Sequence, residues 1–180
     1  MSSSISVEDK EQLIQASIEA KQNSYSPYSK FRVGAAFLTP DGRLIKGANI
    51  ENASYGGTIC AERTGIVKAV SDGVSKFSAL AVVTYVLANP YLVCPPSDVH
   101  HTASRDVSSA CSPCGMCRQV LREFCSNDMP IYLVPGDYPR PLKENEKSED
   151  GYIEGGVRQT NLAELLPDSF GPEHLELPRK

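Results

Sequence analysis

No stretch of the chain approaches the roughly 20 consecutive apolar residues that a membrane-spanning helix needs, which excludes that class of membrane protein. Basic charge is not in excess either: 18 Lys and Arg stand against 22 Asp and Glu, a formal net charge of -4. With no basic stripe to attract a polyanion, nucleic acid is a poor partner. The opening residues, Met1-Ser2-Ser3-Ser4-Ile5-Ser6-Val7, lack the basic and apolar regions of a secretory signal. The expected location is therefore the cytoplasm, with the nucleus also open to it. There Asn52-Ala53-Ser54, which matches a glycosylation acceptor, stays unmodified. No internal repeat is present. The 180 residues fit one domain, residues 1–180, long enough to bury a full core without disulfide support.

What is there instead is cysteine, six residues of it. In a reducing compartment thiols persist, so metal binding or catalysis is a better first reading than three disulfides.

Helical and extended patterns alternate along the chain. Ser6 predicts an N-cap with Asp9 three residues on, and Val7, Leu13, Ile14, Ser17 and Ile18 continue near helical spacing to about Asn23. Residues 24–30 read as a loop. Phe31 to Leu38, small and apolar with Gly34 inside, predicts a buried strand that another element approaches closely. Pro40-Asp41-Gly42 turns it into a return strand over 43–51. A helix over 61–72 ends at Gly73, and Phe77 to Val86 predicts a strand covered on both faces. A segment at about 87–110, rich in Pro, Ser, Asp and His, reads as a loop insertion or lid. Beyond it come a helix over 114–126, a strand over 131–134, a charged exposed loop over 143–151, and a short helix from Asn161 to Leu166. This order predicts the α/β class, helices packed on both faces of a mixed sheet.

The chemistry concentrates in Cys60-Ala61-Glu62 and Pro113-Cys114-Gly115-Met116-Cys117, each where a loop enters a helix. Cys114 and Cys117, three apart, can face one side of a helical turn, so two thiolates can converge on one ion. Cys60 and Glu62 would lie about 200° apart inside a regular helix, so they share a site only if Cys60 sits at the helix entry. Three thiolates leave one tetrahedral position open, the mark of a catalytic rather than a structural zinc site. They also outweigh a divalent ion in charge. Two helix N-termini offset part of that excess, and Arg63 and Arg118 are placed in sequence to donate to the sulfurs. Cys111 could substitute as a ligand but is better placed in the preceding loop. Cys94 falls in the insertion, Cys125 reads as a small buried hydrophobe, and the adjacent His100 and His101 read as solvated.

These residues resemble the active site of the zinc nucleoside deaminases. The stretches Tyr28 to Ala36, Gly47 to Tyr55, Cys60 to Thr64, Cys117 to Val120 and Leu165 to Pro172 are similar to the small homotetrameric cytidine deaminases. The resemblance implies a three-layer α/β/α sandwich with a central mixed sheet of about five strands. It implies one zinc per chain on Cys60, Cys114 and Cys117, and hydrolysis of cytidine and deoxycytidine to uridine and deoxyuridine plus ammonia, a pyrimidine-salvage reaction. Glu62, near zinc but not bound to it, would move protons to N3 and to the departing ammonia. Asn49 and Glu51 would hold the ribose hydroxyls, Phe31 would stack on the pyrimidine, and the Ala61 amide would bind its 2-oxo group. Tyr55 and Phe170 would close the pocket, Phe170 from a neighbouring subunit of the homo-oligomer.

Departures from the family's pattern are Gly65 where alanine is usual, Ala48 where cysteine is common, and lengthened segments before Cys111 and over 136–158. Glycine within a helix costs about 1 kcal/mol, so the helix over 61–72 is expected to be loose or closely packed there. Two rivals remain. A closed four-thiolate module on Cys60, Cys111, Cys114 and Cys117 leaves Glu62, Asn49 and Glu51 without a task. A zinc deaminase of another nucleoside-like aminopyrimidine keeps every predicted role but changes the substrate.

Overall fold

The computed structural model describes residues 5–86 and 110–175. The predicted insertion, with Cys94, His100 and His101, lies outside the described residues except for Ala110.

Helix α1 runs Val7–Gln22, its entry fixed by Ser6, whose hydroxyl accepts from the Asp9 amide at 3.0 Å. Its buried face, Leu13, Ile14, Ala16, Ser17 and Ala20, lies against the first strand, β1, Phe31–Leu38. The contact is at backbone distance: a Cβ on Gly34 would overlap the Ser17 carbonyl and the Lys21 amide of α1. Gly42, at φ 82°, makes the turn into β2, Leu44–Ala48, a shorter return strand than the sequence predicts. Helix α2, Ala61–Ser71, follows, and Gly73 closes it at φ 81°. Strand β3 is Ala79–Val86. Helix α3 is Gly115–Phe124, and β4 is Pro130–Val134.

The last third of the chain adds two strands that its sequence pattern does not predict. Strands β5, Tyr152–Ile153, and β6, Val157–Asn161, extend the sheet before the short helix α4, Leu162–Leu165. The mixed sheet therefore has six strands rather than about five, in the order β2-β1-β3-β4-β6-β5. Neighbouring strands are antiparallel except β3 and β4, which run parallel.

Period-two alternation sorts the strand residues into two cores. Ala36, Leu38, Ala81, Val83, Tyr132 and Val134 meet α1 on one face. Ala35, Phe37, Leu80, Val82, Ile131 and Leu133 meet Ala61, Ile66 and Ala69 of α2, Leu121 of α3 and Leu162 of α4 on the other. The result is a three-layer α/β/α sandwich. Gly65 belongs to the closely packed alternative: a Cβ there would lie 2.8 Å from Cε2 of Phe37. Its counterpart on β2 is Gly47, where a Cβ would overlap the Ala61 carbonyl and come within 2.5 Å of the Gly65 amide.

The segment expected to be a charged exposed loop departs from that reading. Glu146 is buried there, bonded twice to Arg140 at 2.6 and 2.7 Å and once to the Lys143 amide at 3.0 Å. The Arg140 guanidinium, opposed by burial, holds the Glu146 carboxyl at about 2. Charge density along a sequence does not reveal which charges pair, and a bidentate pair can be buried where a lone one cannot.

Candidate active site

Cys60 is the N-cap of α2, with φ -70° and ψ 156°, so it is extended and the helix begins at Ala61. That entry position lets Cys60 and Glu62 share a site, as the 200° argument requires. Cys114 is likewise the N-cap of α3, and Cys117 is the third residue inside it. Neither N-cap sulfur accepts a hydrogen bond from its own helix, so both are available for another task.

The sulfurs meet. Sγ of Cys60 lies 3.9 Å from that of Cys114, which lies 3.5 Å from that of Cys117, and all three fall within 4.8 Å of one another. A tetrahedral zinc with bonds of about 2.3 Å spaces its sulfurs about 3.8 Å apart, so these separations lie within about 1 Å of what that ion requires. Disulfide sulfurs would be at about 2.05 Å. Cys111 stands outside the cluster, which leaves the closed four-thiolate reading without its fourth ligand among the described residues.

The cluster's electrostatics are uneven. A hydrogen bond from Cys117 and the Arg63 guanidinium, working against burial, lower Cys60 to about 5. Cys117 is pushed the opposite way by its bond to Cys60, by burial and by the nearby Glu62. Arg63 Nη2 lies 3.5 Å from Cys60 Sγ and 3.2 Å from the Thr58 carbonyl. Arg118 does otherwise than expected: it donates to the Pro113 and Leu165 carbonyls and to the Ser112 hydroxyl, each at 2.7 Å, and to none of the three clustered sulfurs among the described residues. It braces the loop that carries Cys114. Sequence adjacency to a cysteine says nothing of side-chain direction, and a guanidinium one helical residue past Cys117 turns about 100° away.

Glu62, in the first turn of α2, is 4% exposed. Burial pushes its carboxyl up, and the neighbouring Cys60 adds to the rise. A protonated or easily protonated acid beside the sulfurs can give and take a proton near neutral pH.

A second group of buried polar residues lies where β1 begins and β2 ends. Asn49 Oδ1 accepts from Ser24 Oγ at 2.5 Å and from the Val33 amide at 2.8 Å, while Nδ2 donates to the Phe31 carbonyl at 2.9 Å. Glu51 accepts from the amides of Tyr28 at 2.9 Å and Ser29 at 3.2 Å, and from the Ser29 hydroxyl. Against the penalty of burial, these bonds keep its carboxyl below the ordinary range, hence ionised. The hydroxyl of Ser29 in turn accepts from the Phe31 amide at 3.0 Å, one residue after Lys30 in the left-handed region at φ 57°. Ser24, Tyr28 and Ser29 are thus structural partners of the site that sequence reading treats only as loop. The signal was the run of hydroxyl residues facing two buried acceptors.

Ala61 is fully buried, Phe31 is half-buried, and Tyr55 and Phe170 are exposed at 64% and 56%. Tyr55 sits in a short 3-10 turn with its ring 5.8 Å from that of Tyr28. The cleft of about 720 Å³ between α1 and residues 138–155 contains none of these residues.

The sequence model of the cytidine and deoxycytidylate deaminase zinc-binding region matches residues 7–133. The chain belongs to this family. A cytidine deaminase of Sporosarcina psychrophila is 41% identical to this deaminase over 167 residues, covering 93% of this chain and 95% of that one. One from Halalkalibacterium halodurans is 38% identical over 167 residues, with coverages of 93% and 98%. The crystal structure of a cytidine deaminase from Burkholderia pseudomallei matches with a TM-score of 0.64 and 33% identity over 89% of this chain and 98% of that one. The deaminase is thus a hydrolytic enzyme of a zinc-binding family, and among the described residues the three-sulfur cluster is a group that could hold a metal ion. No described helix is long and apolar enough to cross a membrane.

Proposed function

We propose that this deaminase converts cytidine and deoxycytidine to uridine and deoxyuridine with release of ammonia, as a step of pyrimidine salvage. The observation that carries the reading is the convergence of three sulfurs at two helix N-termini beside a buried carboxyl, Glu62, that is not one of them. Zinc held there, one ion per chain, supplies the Lewis acidity that makes water a nucleophile near neutral pH.

The chain's own residues do the rest. Glu62 takes one proton of the attacking water and gives it to N3 of the ring, then takes the second from the new C4 hydroxyl and delivers it to the leaving ammonia, ending the turnover as it began. Arg63 offsets the charge of three thiolates through Cys60. Asn49 has both lone pairs engaged and one amide hydrogen left, and Glu51 has about one of its four acceptor sites left. One donor and one acceptor, each fixed by the fold, suit the hydroxyls of a sugar. The ionised Glu51 opposes a phosphate in the same place. Phe31 packs on the pyrimidine and the Ala61 amide, at the start of α2, meets its 2-oxo group.

Closure of the pocket is a matter for neighbours. Tyr25, Tyr28, Ile50, Tyr55, Ile59 and Phe170 are all exposed; backbone bridges join Tyr25, Ile50 and Ile59, and a ring contact joins Tyr28 and Tyr55. An apolar patch of that kind is a contact surface. We infer a homotetramer in which Phe170 of one copy closes the site of the next, working in a reducing compartment, the cytoplasm, where the thiolates survive.

The test is direct. Purified protein mixed with cytidine loses the amino-pyrimidine ultraviolet band, while Glu62→Gln, with zinc retained, is slower by about 10²–10⁴-fold. Turnover surviving in the variant, or zinc far from one per chain, overturns the assignment.

A further inference from the structure

Helix α3 carries two of the three sulfurs at one end, and three polar side chains along it hold the chain's C-terminal segment. Arg118 Nη1 donates to the Leu165 carbonyl at 2.7 Å, and Gln119 Nε2 to the Phe170 carbonyl at 3.0 Å. Arg122 Nε donates to the Ser169 hydroxyl at 2.9 Å, and its Nη2 pairs with the Glu173 carboxylate. Arg118 and Arg122, four apart, share one helix face.

Arg122 is the unusual member. It is 9% exposed, whereas its partner Glu173 is half exposed. Burying a guanidinium is unfavourable unless its donors are met, so the segment and the side chain hold each other in place. Gly171 completes the fit: a Cβ there would overlap the guanidinium. Its φ of -141° needs no glycine, so closeness alone accounts for the residue. Between these fixed points, Phe170 has its carbonyl bound while its ring stays 56% exposed beside His174. The backbone of Phe170 is thus fixed while more than half of its ring faces outward.

We propose that Arg122 is a positioning residue for the deamination reaction: from the zinc-bearing helix it fixes residues 169–173, so that Phe170 is presented, already ordered, to the pocket of a neighbouring copy. This rests on the reading above in which Phe170 closes that pocket. In this scheme Phe170 contributes apolar contact with substrate and takes no part in proton transfer, since its ring has no donor or acceptor. Loosening it therefore weakens binding before it slows chemistry.

The chain has no tryptophan, so Phe170→Trp installs a single fluorescent reporter. In that background Arg122→Met is expected to increase acrylamide quenching about threefold, with Arg122→Lys intermediate. Glu173→Gln, a milder change at a half-exposed partner, moves it the same way and serves if Arg122→Met folds poorly. With Phe170 native, Arg122→Met raises the KM for cytidine about tenfold, leaves kcat within about twofold, and keeps zinc content unchanged. Co-expression with a Glu62→Gln chain restores the low KM, because the working site then receives its Phe170 from a chain whose Arg122 is intact. Quenching that does not change, or a joint loss of kcat and zinc without rescue in the mixed oligomer, overturns the proposal. A wild-type protein inactive on cytidine overturns the functional reading instead, and Phe170→Ala with unchanged KM overturns the closing role of Phe170, so the failures are distinguishable.

Discussion

Cys60 concentrates the site's electrostatics in one atom. Its sulfur faces Cys114, Cys117 and Arg63, and its thiol lies at about 5 in the absence of metal. The group is depressed, so the stabilisation its charge draws from Cys117 and Arg63 is complete above the ordinary thiol range and is lost as pH falls through about 5. In zinc-free protein, iodoacetamide should alkylate Cys60 with a rate that rises through about pH 5, while Cys117 stays unreactive to much higher pH. Arg63→Gln should move that midpoint upward and weaken zinc about 10–100-fold, read by chelator competition. At this scale the sequence was most informative where spacing alone sets geometry, as with Cys114 and Cys117. It was least informative where direction matters. Arg63 and Arg118 look equivalent beside their cysteines, yet one reaches sulfur and the other reaches backbone.

Elements with local signals were legible. The Ser6 cap, the Gly42 turn and the Gly73 terminator each act within a few residues, and α1, β1, α2 and β3 fall close to their predicted limits. Strand β6, Val-Arg-Gln-Thr-Asn, carries only Val157 and Thr160 as buried residues; its local partner β5 is two residues long, and the pairing with β4 that sets it in the sheet reaches back more than 20 residues. Neither gives a strong sequence pattern. The contact of α2 with β2 rests on two glycines, which makes Gly47→Ala a sharp probe. Its methyl would press on the backbone of the first turn of α2, which cannot yield as a side chain would. Denaturant unfolding should show a loss of about 1–3 kcal/mol, together with weaker zinc binding because Cys60 moves with that turn. Glu146→Gln tests the opposite kind of element contact. Removing one partner of a buried pair costs about 3–5 kcal/mol, with kcat per folded chain unchanged. Glu146 is held at about 2, so the pair stabilises fully above the ordinary carboxylate range, and the gap between wild type and variant should close as pH falls from 4.5 toward 2.

For the molecule as a whole, the exposed aromatic patch sets an expectation about concentration. If neighbours complete the site, serial dilution should raise the KM for cytidine as the assembly dissociates, in step with the particle mass measured by light scattering. A KM independent of dilution through dissociation would mean that each chain closes its own pocket. Asn49 and Glu51 are singled out by motif, but their bracing by Ser24 and Ser29 depends on the folded approach of segments 24–30 and 49–51, which only the tertiary structure brings about.

The single parallel pairing in the sheet, β3 with β4, has an outcome beyond topology. Each of these strands is fed by the helix before it, α2 and α3, so matching strand polarity makes the two helices start at the same rim. Were β4 reversed, the sulfurs of α3 would begin a helix length away, about 15 Å at 1.5 Å per residue, beyond the reach of any one ion. The direction of one interior strand thus decides whether this chain can hold its metal at all.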